Sequence, residues 1–311
     1  MRPFTLLTDF DGVWTDPRRE LQAISDFLIA EFARYDAAPL ARARGMFERF
    51  RAEVMRRPDR HGWRIEGRLT SFVDEDVFAV PTSVGQWVDA APDPDAARLR
   101  AAILGEYPSV LAFLDHCYHS TCARFRAEVP HDLAPGAERV LAWLMRKDVR
   151  VVFASNAPLE KVQGWFACHG LAVADARETA PGEAPLRAYG RAGKQWLSPE
   201  PEVLVVGARA VAADRPQFRA ILDHERADFV VGDVLSLDLA APIALRRSGH
   251  PAAPAAIAVM HLPHTPQWVL DAVAPGPVGV DFLVPHVTAL PRLVTALRGS
   301  SPAAAASPRS G

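Results

Sequence analysis

Three short runs of apolar and β-branched residues, each stopping abruptly at polar residues, constrain the fold of this chain more than any other feature. Phe4-Thr5-Leu6-Leu7-Thr8 ends at Asp9, Val149-Arg150-Val151-Val152-Phe153-Ala154 ends at Ser155-Asn156, and Phe229-Val230-Val231 ends at Gly232-Asp233. Runs of this kind read as strands covered on both faces, which is the condition of a parallel sheet. In open α/β sheets a ligand lies beyond the carboxyl ends of the strands. The three polar clusters, distant in sequence, are therefore expected at one crevice. Helical patterns separate the runs, at about 135–144, 158–169 and 216–225, with Gly170 as a stop and Pro216 suited to a first helical turn. Apolar runs at 255–260 and 280–284 extend the sheet, and a closing helix is expected over about 290–297. The expected core is a doubly wound, Rossmann-like α/β parallel sheet.

Two segments break this alternation. Residues 17–130 read as mostly α-helical, with breaks at Pro58, Pro81, Pro92, Pro94 and Pro108, and are long enough for a separate domain inserted after the first strand. The core is then residues 1–16 with 131–298. Residues 175–214 are rich in Pro, Gly and Ala and read as a small insertion, within which 203–211 forms a β-hairpin turning near Gly207. Residues 299–311, Gly-Ser-Ser-Pro followed by an Ala-rich stretch, are of low complexity and read as a disordered tail.

Composition narrows the partners. A net charge of −2 over 311 residues gives no electrostatic reason to expect nucleic acid. No run of about 18 apolar residues exists to span a membrane. Three cysteines, Cys117, Cys122 and Cys168, do not make a disulfide framework. Phe4 to Leu7 is too short for a signal-peptide core, so a cytoplasmic location is expected, as a monomer or homodimer. The chain has three lysines, Lys147, Lys161 and Lys194, against 32 arginines, so each lysine merits notice.

Asp9-Phe10-Asp11-Gly12-Val13-Trp14-Thr15-Asp16 carries the most chemistry. Carboxylates at i and i+2 leave a strand end on the same side. Buried together they repel, and a divalent cation removes that penalty. Hard oxygen ligands suit Mg²⁺, which takes one or two carboxylates and keeps several waters. Gly12 allows a sharp turn. Gly232-Asp233-Val234-Leu235-Ser236-Leu237-Asp238 supplies a second carboxylate pair after another strand. Ser155 and Asn156, at a helix start, offer a hydroxyl, an amide and backbone N–H groups to an anion. A phosphate site also needs a fixed cation, for which Lys194 and Arg215 are both available.

In order and spacing these pieces resemble the four motifs of the haloacid dehalogenase (HAD) superfamily. The first motif, Asp-x-Asp-Gly-Val, is matched by DFDGVWTD, the second by VVFASNAP and the fourth by GDVLSLD. The resemblance covers about residues 1–16 and 131–298. It implies Asp9 as nucleophile and metal ligand, and Asp11 as general acid/base that offers a backbone carbonyl to Mg²⁺. It implies Ser155 at the phosphoryl group, Asp233 as the third protein ligand and Asp238 as support for the metal through water. The third motif departs from the family pattern, since Asp214-Arg215-Pro216 stands where a lysine before proline is usual. Either Arg215 replaces that lysine or Lys194 reaches in from the preceding loop. A flexible stem favours Lys194.

The activity implied is Mg²⁺-dependent hydrolysis of a small phosphorylated metabolite through an aspartyl-phosphate. The second carboxylate, Asp11, argues for phosphate chemistry and against carbon–halogen cleavage. Alternatives are a phosphomutase or phosphonate hydrolase on the same fold, or a catalytically weak binding or regulatory protein. By the same resemblance the helical segment 17–130 is a cap. His116, Cys117, His119 and Cys122 have zinc-ligand types, yet on one helix they point in several directions and read as packing residues. Cys168 and His169 have the types of a nucleophilic pair, but nothing in the sequence orients them.

Overall fold

The computed structural model describes residues 2–274 and 279–300. In chain order the elements are β1 (Phe4–Thr8), α1 (Arg18–Tyr35), α2 (Leu40–Arg56), β2 (Arg64–Ile65), β3 (Arg68–Leu69), α3 (Ala79–Ala90), α4 (Pro94–Leu104) and α5 (Val110–Glu128). There follow α6 (Ala137–Arg146), β4 (Val149–Ala154), α7 (Leu159–Ala167), β5 (Ala174–Asp175), β6 (Leu186–Tyr189), β7 (Val203–Val206) and β8 (Arg209–Ala212). The chain continues through α8 (Pro216–Glu225), β9 (Phe229–Gly232), α9 (Ala240–Arg247), β10 (Ala256–Met260), α10 (Gln267–Leu270), β11 (Phe282–Val284) and α11 (Leu290–Ser300). Two compact units result: Met1–Asp16 with His131–Gly311, and Pro17–Pro130.

The first unit is built on a seven-stranded sheet in the order β11-β10-β9-β1-β4-β6-β5. Every pairing in it is parallel. The order runs outward from β1 in both directions, which is the doubly wound arrangement expected from the apolar runs. β1, β9 and β10 sit inside the sheet, and Leu6, Leu7, Val230, Val231, Ile257 and Ala258 are all buried. Because β4 and β9 flank β1 directly, the residues that follow these three strands emerge side by side.

The segment 175–214 differs from expectation. The hairpin is present as β7 and β8, antiparallel, with Gly207 at its turn. But β6, also within this segment, is a strand of the main sheet, paired along its length with β4. Its sequence, Leu-Arg-Ala-Tyr, does not look like a buried strand, yet all four residues are buried. Arg187 is accommodated by Glu225 on α8, which also accepts a hydrogen bond from the Tyr189 hydroxyl at 2.7 Å. A buried charge is tolerable when it is paired and hydrogen-bonded in this way.

The junction with the second unit is closed within the sheet unit. Ala134 donates its N–H to the Trp14 carbonyl at 2.7 Å, and Thr15 bridges Leu133 in antiparallel fashion. The chain thus leaves and re-enters at neighbouring points. The inserted unit packs α1 to α5 around Leu28, Phe32, Phe47, Phe50, Val84 and Phe113. Pro81 does not break it: it lies in the first turn of α3, where its missing N–H has no intrahelical acceptor to lose. Pro94 likewise opens α4, behind an Asp93 side chain that accepts the N–H groups of Asp95 and Ala96. The short β2–β3 hairpin was not legible as strand in so mixed a stretch. Among the described residues no helix is long and apolar enough to cross a membrane. The closing helix, α11, extends through Ser300, beyond the start expected for the tail; residues 301–311 lie outside the described residues.

Candidate active site

Asp9 follows β1 directly, and its N–H extends the ladder to the Val231 carbonyl at 2.9 Å. Phe10 turns the opposite way and is fully buried, edge-on to Phe166 at 5.4 Å and to Phe153 at 6.5 Å. This wedge fixes the turn and leaves Asp9 and Asp11 on the other side, as alternation along a strand requires. Gly12 takes φ +78°, a left-handed conformation open chiefly to glycine. A Cβ there would stand 2.2 Å from Asp233 Oδ2, so the glycine also makes room for the neighbouring carboxylate.

Asp9, Asp233 and Asp238 each bring one oxygen within 4.8 Å of the others. Asp233 begins the turn after β9. Asp238 lies on a π-helical turn, Leu235–Leu239, a form that often marks functional sites. Its Oδ2 accepts the N–H groups of Val234 at 3.0 Å and Asp233 at 3.2 Å, which ties the turn back on itself. Gly232 permits this: a Cβ there would meet the Asp238 side chain at 2.2 Å.

Of the two expected cations, Lys194 joins the carboxylates. Its Nζ donates to Asp9 Oδ1 at 2.6 Å and to Asp238 Oδ1 at 2.7 Å, and the side chain is 3 % exposed. Lys194 arrives on the loop that leaves β6, which explains why that inconspicuous strand matters. Arg215 is buried as well. Its guanidinium donates to the Lys194 carbonyl and, at 3.1 Å, to the Ala212 carbonyl. Asn156 grips the same residue from the other side, its Oδ1 accepting the Lys194 N–H at 3.0 Å. Arg215 and Asn156, both expected at the phosphate, hold the backbone of Lys194 between them. Ser155 is buried, and its Oγ accepts the Ala157 N–H at 3.1 Å, capping its own turn.

Sequence reasoning missed Lys161. It stands in the first turn of α7, 5 % exposed, with Nζ 3.0 Å from each oxygen of Asp11. The Thr15 hydroxyl donates to Asp11 Oδ1 at 3.1 Å. The available signal was rarity: two of the three lysines in the chain are bonded to Asp9 or Asp11.

Burial pushes the Asp9 carboxyl up to about 7, with Lys194 opposing and the Asp238 and Asp11 carboxylates reinforcing the rise. For Lys194 burial works against the charge, but Asp238 and Asp9 prevail, and its pKa stands above the ordinary lysine value. Four carboxylates (Asp9, Asp11, Asp233, Asp238) gather here, and the ammonium groups of Lys161 and Lys194 pair with three of them. This excess of negative charge, the all-oxygen donor set and the space kept by Gly12 fit a hard divalent cation such as Mg²⁺. Gly12→Ala is expected to weaken Mg²⁺ binding by about 10–100-fold, the usual scale when the surroundings of a ligand are disturbed. Titration calorimetry with Mg²⁺ reads this directly, and affinity equal to wild type would contradict the role given to Gly12.

The other metal and nucleophile readings find no assembled site among the described residues. Cys117 and Cys122 are buried on α5, and burial pushes the Cys117 thiol up to about 12. His116 lies against the Tyr107 ring and His119 against Tyr118. Cys168 meets His131 Nδ1 at 3.3 Å rather than His169, which pairs with Glu138.

No family model and no curated protein matches this sequence. Solved structures do resemble the chain. A HAD phosphatase from Thermococcus onnurineus matches at 13 % identity and a TM-score of 0.45, over 94 % of this chain and 97 % of that one. CbbY from Rhodobacter sphaeroides, in complex with xylulose-1,5-bisphosphate, matches at 15 % identity and a TM-score of 0.46, over 92 % and 95 %. A hydrolase from Pseudomonas syringae matches at 14 % identity and a TM-score of 0.42, over 94 % and 98 %.

Proposed function

We propose that this chain is a HAD-superfamily phosphohydrolase that cleaves a small phosphomonoester through an aspartyl-phosphate on Asp9. The observation that carries the reading is the Lys194 ammonium bridging Asp9 and Asp238 beside Asp233, at the ends of adjacent strands. Nucleophile, cation and further carboxylates are the parts a phosphoryl transfer requires.

In this reading Asp9 and Asp233 would hold Mg²⁺ by their carboxylates, with Asp11 contributing its backbone carbonyl. When bound, Mg²⁺ supplies Lewis-acid neutralisation of phosphoryl oxygens. Lys194 adds a second positive charge against those oxygens, so that an anionic carboxylate can approach phosphorus. Asp238 holds Lys194 in place, and Asn156 and Arg215 fix the backbone from which it projects. An Asp9 oxygen forms a bond to phosphorus as the ester P–O bond breaks, and Asp11 gives its proton to the leaving oxygen. Asp11 then takes a proton from the water that attacks phosphorus, which returns Asp9 and releases phosphate. Ser155 lies on the turn where a phosphoryl oxygen is received. The inserted helical unit takes the part of the cap, with choice of substrate.

Phosphate release from a panel of phosphorylated sugars, acids and alcohols, with Mg²⁺ and with EDTA, tests this. Turnover of at least one ester is expected, falling roughly 100-fold or more when the metal is chelated. Ligation needs the deprotonated carboxylate. With Asp9 raised to about 7, Mg²⁺ affinity should climb between about pH 6 and about pH 8. A panel that yields no phosphate under any of these conditions would rule the proposal out.

A further inference from the structure

The mechanism above gives no task to a buried ammonium beside one of its carboxylates, Lys161. Lys161 is almost wholly enclosed, and enclosure of an ammonium group costs free energy unless its partners repay it. Its Nζ spans both oxygens of the same carboxylate, at 3.0 Å each, and lies 5.5 Å from the centre of the Trp165 ring. Trp165 is itself buried and stacked on His131, with ring centres 3.9 Å apart. The ammonium therefore rests on a rigid wall.

Asp11, by contrast, stands on a turn beyond the end of β1, with its side chain 20 % exposed. A carboxylate so placed can rotate about two bonds. A general acid must present its proton within about 2.6–3.2 Å of the leaving oxygen, and a displacement near 1 Å costs on the order of 100-fold. Lys161 and Thr15 grip Asp11 from helix α7 and from its own turn, which removes that freedom.

We infer that Lys161 is a positioning residue, which holds the Asp11 carboxyl toward the leaving-group oxygen rather than binding the transferred phosphoryl group. The inference rests on the phosphohydrolase reading and adds to it a residue that no motif assigns. While one Asp11 oxygen faces the leaving oxygen, the other keeps its bond to the ammonium.

The distinguishing measurement is leaving-group dependence. An alkyl phosphate needs its leaving oxygen protonated, whereas nitrophenolate departs from p-nitrophenyl phosphate without a proton. The value of kcat/KM reports the steps up to and including P–O cleavage. Lys161→Met is expected to lower kcat/KM for an alkyl ester by about 100-fold and for p-nitrophenyl phosphate by less than about tenfold. Lys161→Arg, which can still span a carboxylate, should recover most of the alkyl activity. Thr15→Val, a milder change at the same carboxylate, should lower the alkyl-to-aryl ratio in the same direction, and it keeps the test decisive if Lys161→Met does not fold. Equal losses on both esters, or an unchanged ratio, in an active enzyme would overturn the role of Lys161 alone. A wild-type protein that releases phosphate from no ester of the panel would remove the phosphohydrolase reading and this role together.

Discussion

Asp9→Asn is expected to abolish phosphate release and at the same time to stabilise the metal-free protein at about pH 8. The loss of turnover follows because a neutral amide cannot attack phosphorus; a fall of at least ~10⁴-fold is expected for removing the nucleophile. Stability follows from linkage. The Asp9 pKa is raised on folding from 3.8 to about 7, mainly by burial. A carboxyl shifted upward contributes stability below its unfolded pKa and loses that contribution as pH rises through the folded value. Metal-free wild type should therefore weaken between about pH 4 and about pH 8, whereas the asparagine variant escapes that part of the loss. The difference at about pH 8 should reach roughly 2–4 kcal/mol, and should fall below about 1 kcal/mol near pH 4 or on adding Mg²⁺ to wild type. Denaturant unfolding in EDTA at the two pH values measures it. Residual activity within tenfold of wild type would dismiss Asp9 as nucleophile, and equal stabilities at about pH 8 would dismiss the buried-charge account.

Lys194→Met should damage folding and chemistry together. The ammonium is the common partner of two carboxylates that are themselves largely withdrawn from water. Removing one member of a buried ion pair typically costs about 3–5 kcal/mol, because the remaining charge is left uncompensated. Methionine keeps the length and apolar stem of lysine, so the loss is of charge rather than of packing. Catalysis loses an electrostatic contact to the phosphoryl oxygens as well, for which a fall of about 10²–10³-fold or more in kcat is expected. Thermal melting and steady-state kinetics on the same preparation check both parts. A variant as stable and as active as wild type would show that the cation of this site lies elsewhere.

Strands β1, β4 and β9 were legible in the sequence because both of their faces are covered, and a strand in that setting is written as an uninterrupted apolar run. The same logic concealed β6. Leu186-Arg187-Ala188-Tyr189 carries its polarity inside, and the group that neutralises Arg187 is Glu225, 38 residues further on. Since β6 delivers Lys194, the ambiguity between Lys194 and Arg215 had the same origin. Asn156 and Arg215 were singled out for chemical types that do belong here, but hydrogen-bonding capacity does not reveal its target. Both serve a backbone brought near only by the fold. Lys161 was harder still. In Leu159-Glu160-Lys161-Val162 it looks like an ordinary solvated charge at a helix start, and only tertiary placement makes it face Asp11.

The backbone bridge joining residues 14 and 15 to 133 and 134 bears on exchange of the segment between them. Every charged group invoked for the reaction belongs to the sheet-bearing unit, and that unit is stitched shut at the root of the excursion 17–130. Any other sequence in place of the excursion would start and end beside those bridged residues. On the proposed reaction, exchange of the excursion alters none of those charged groups.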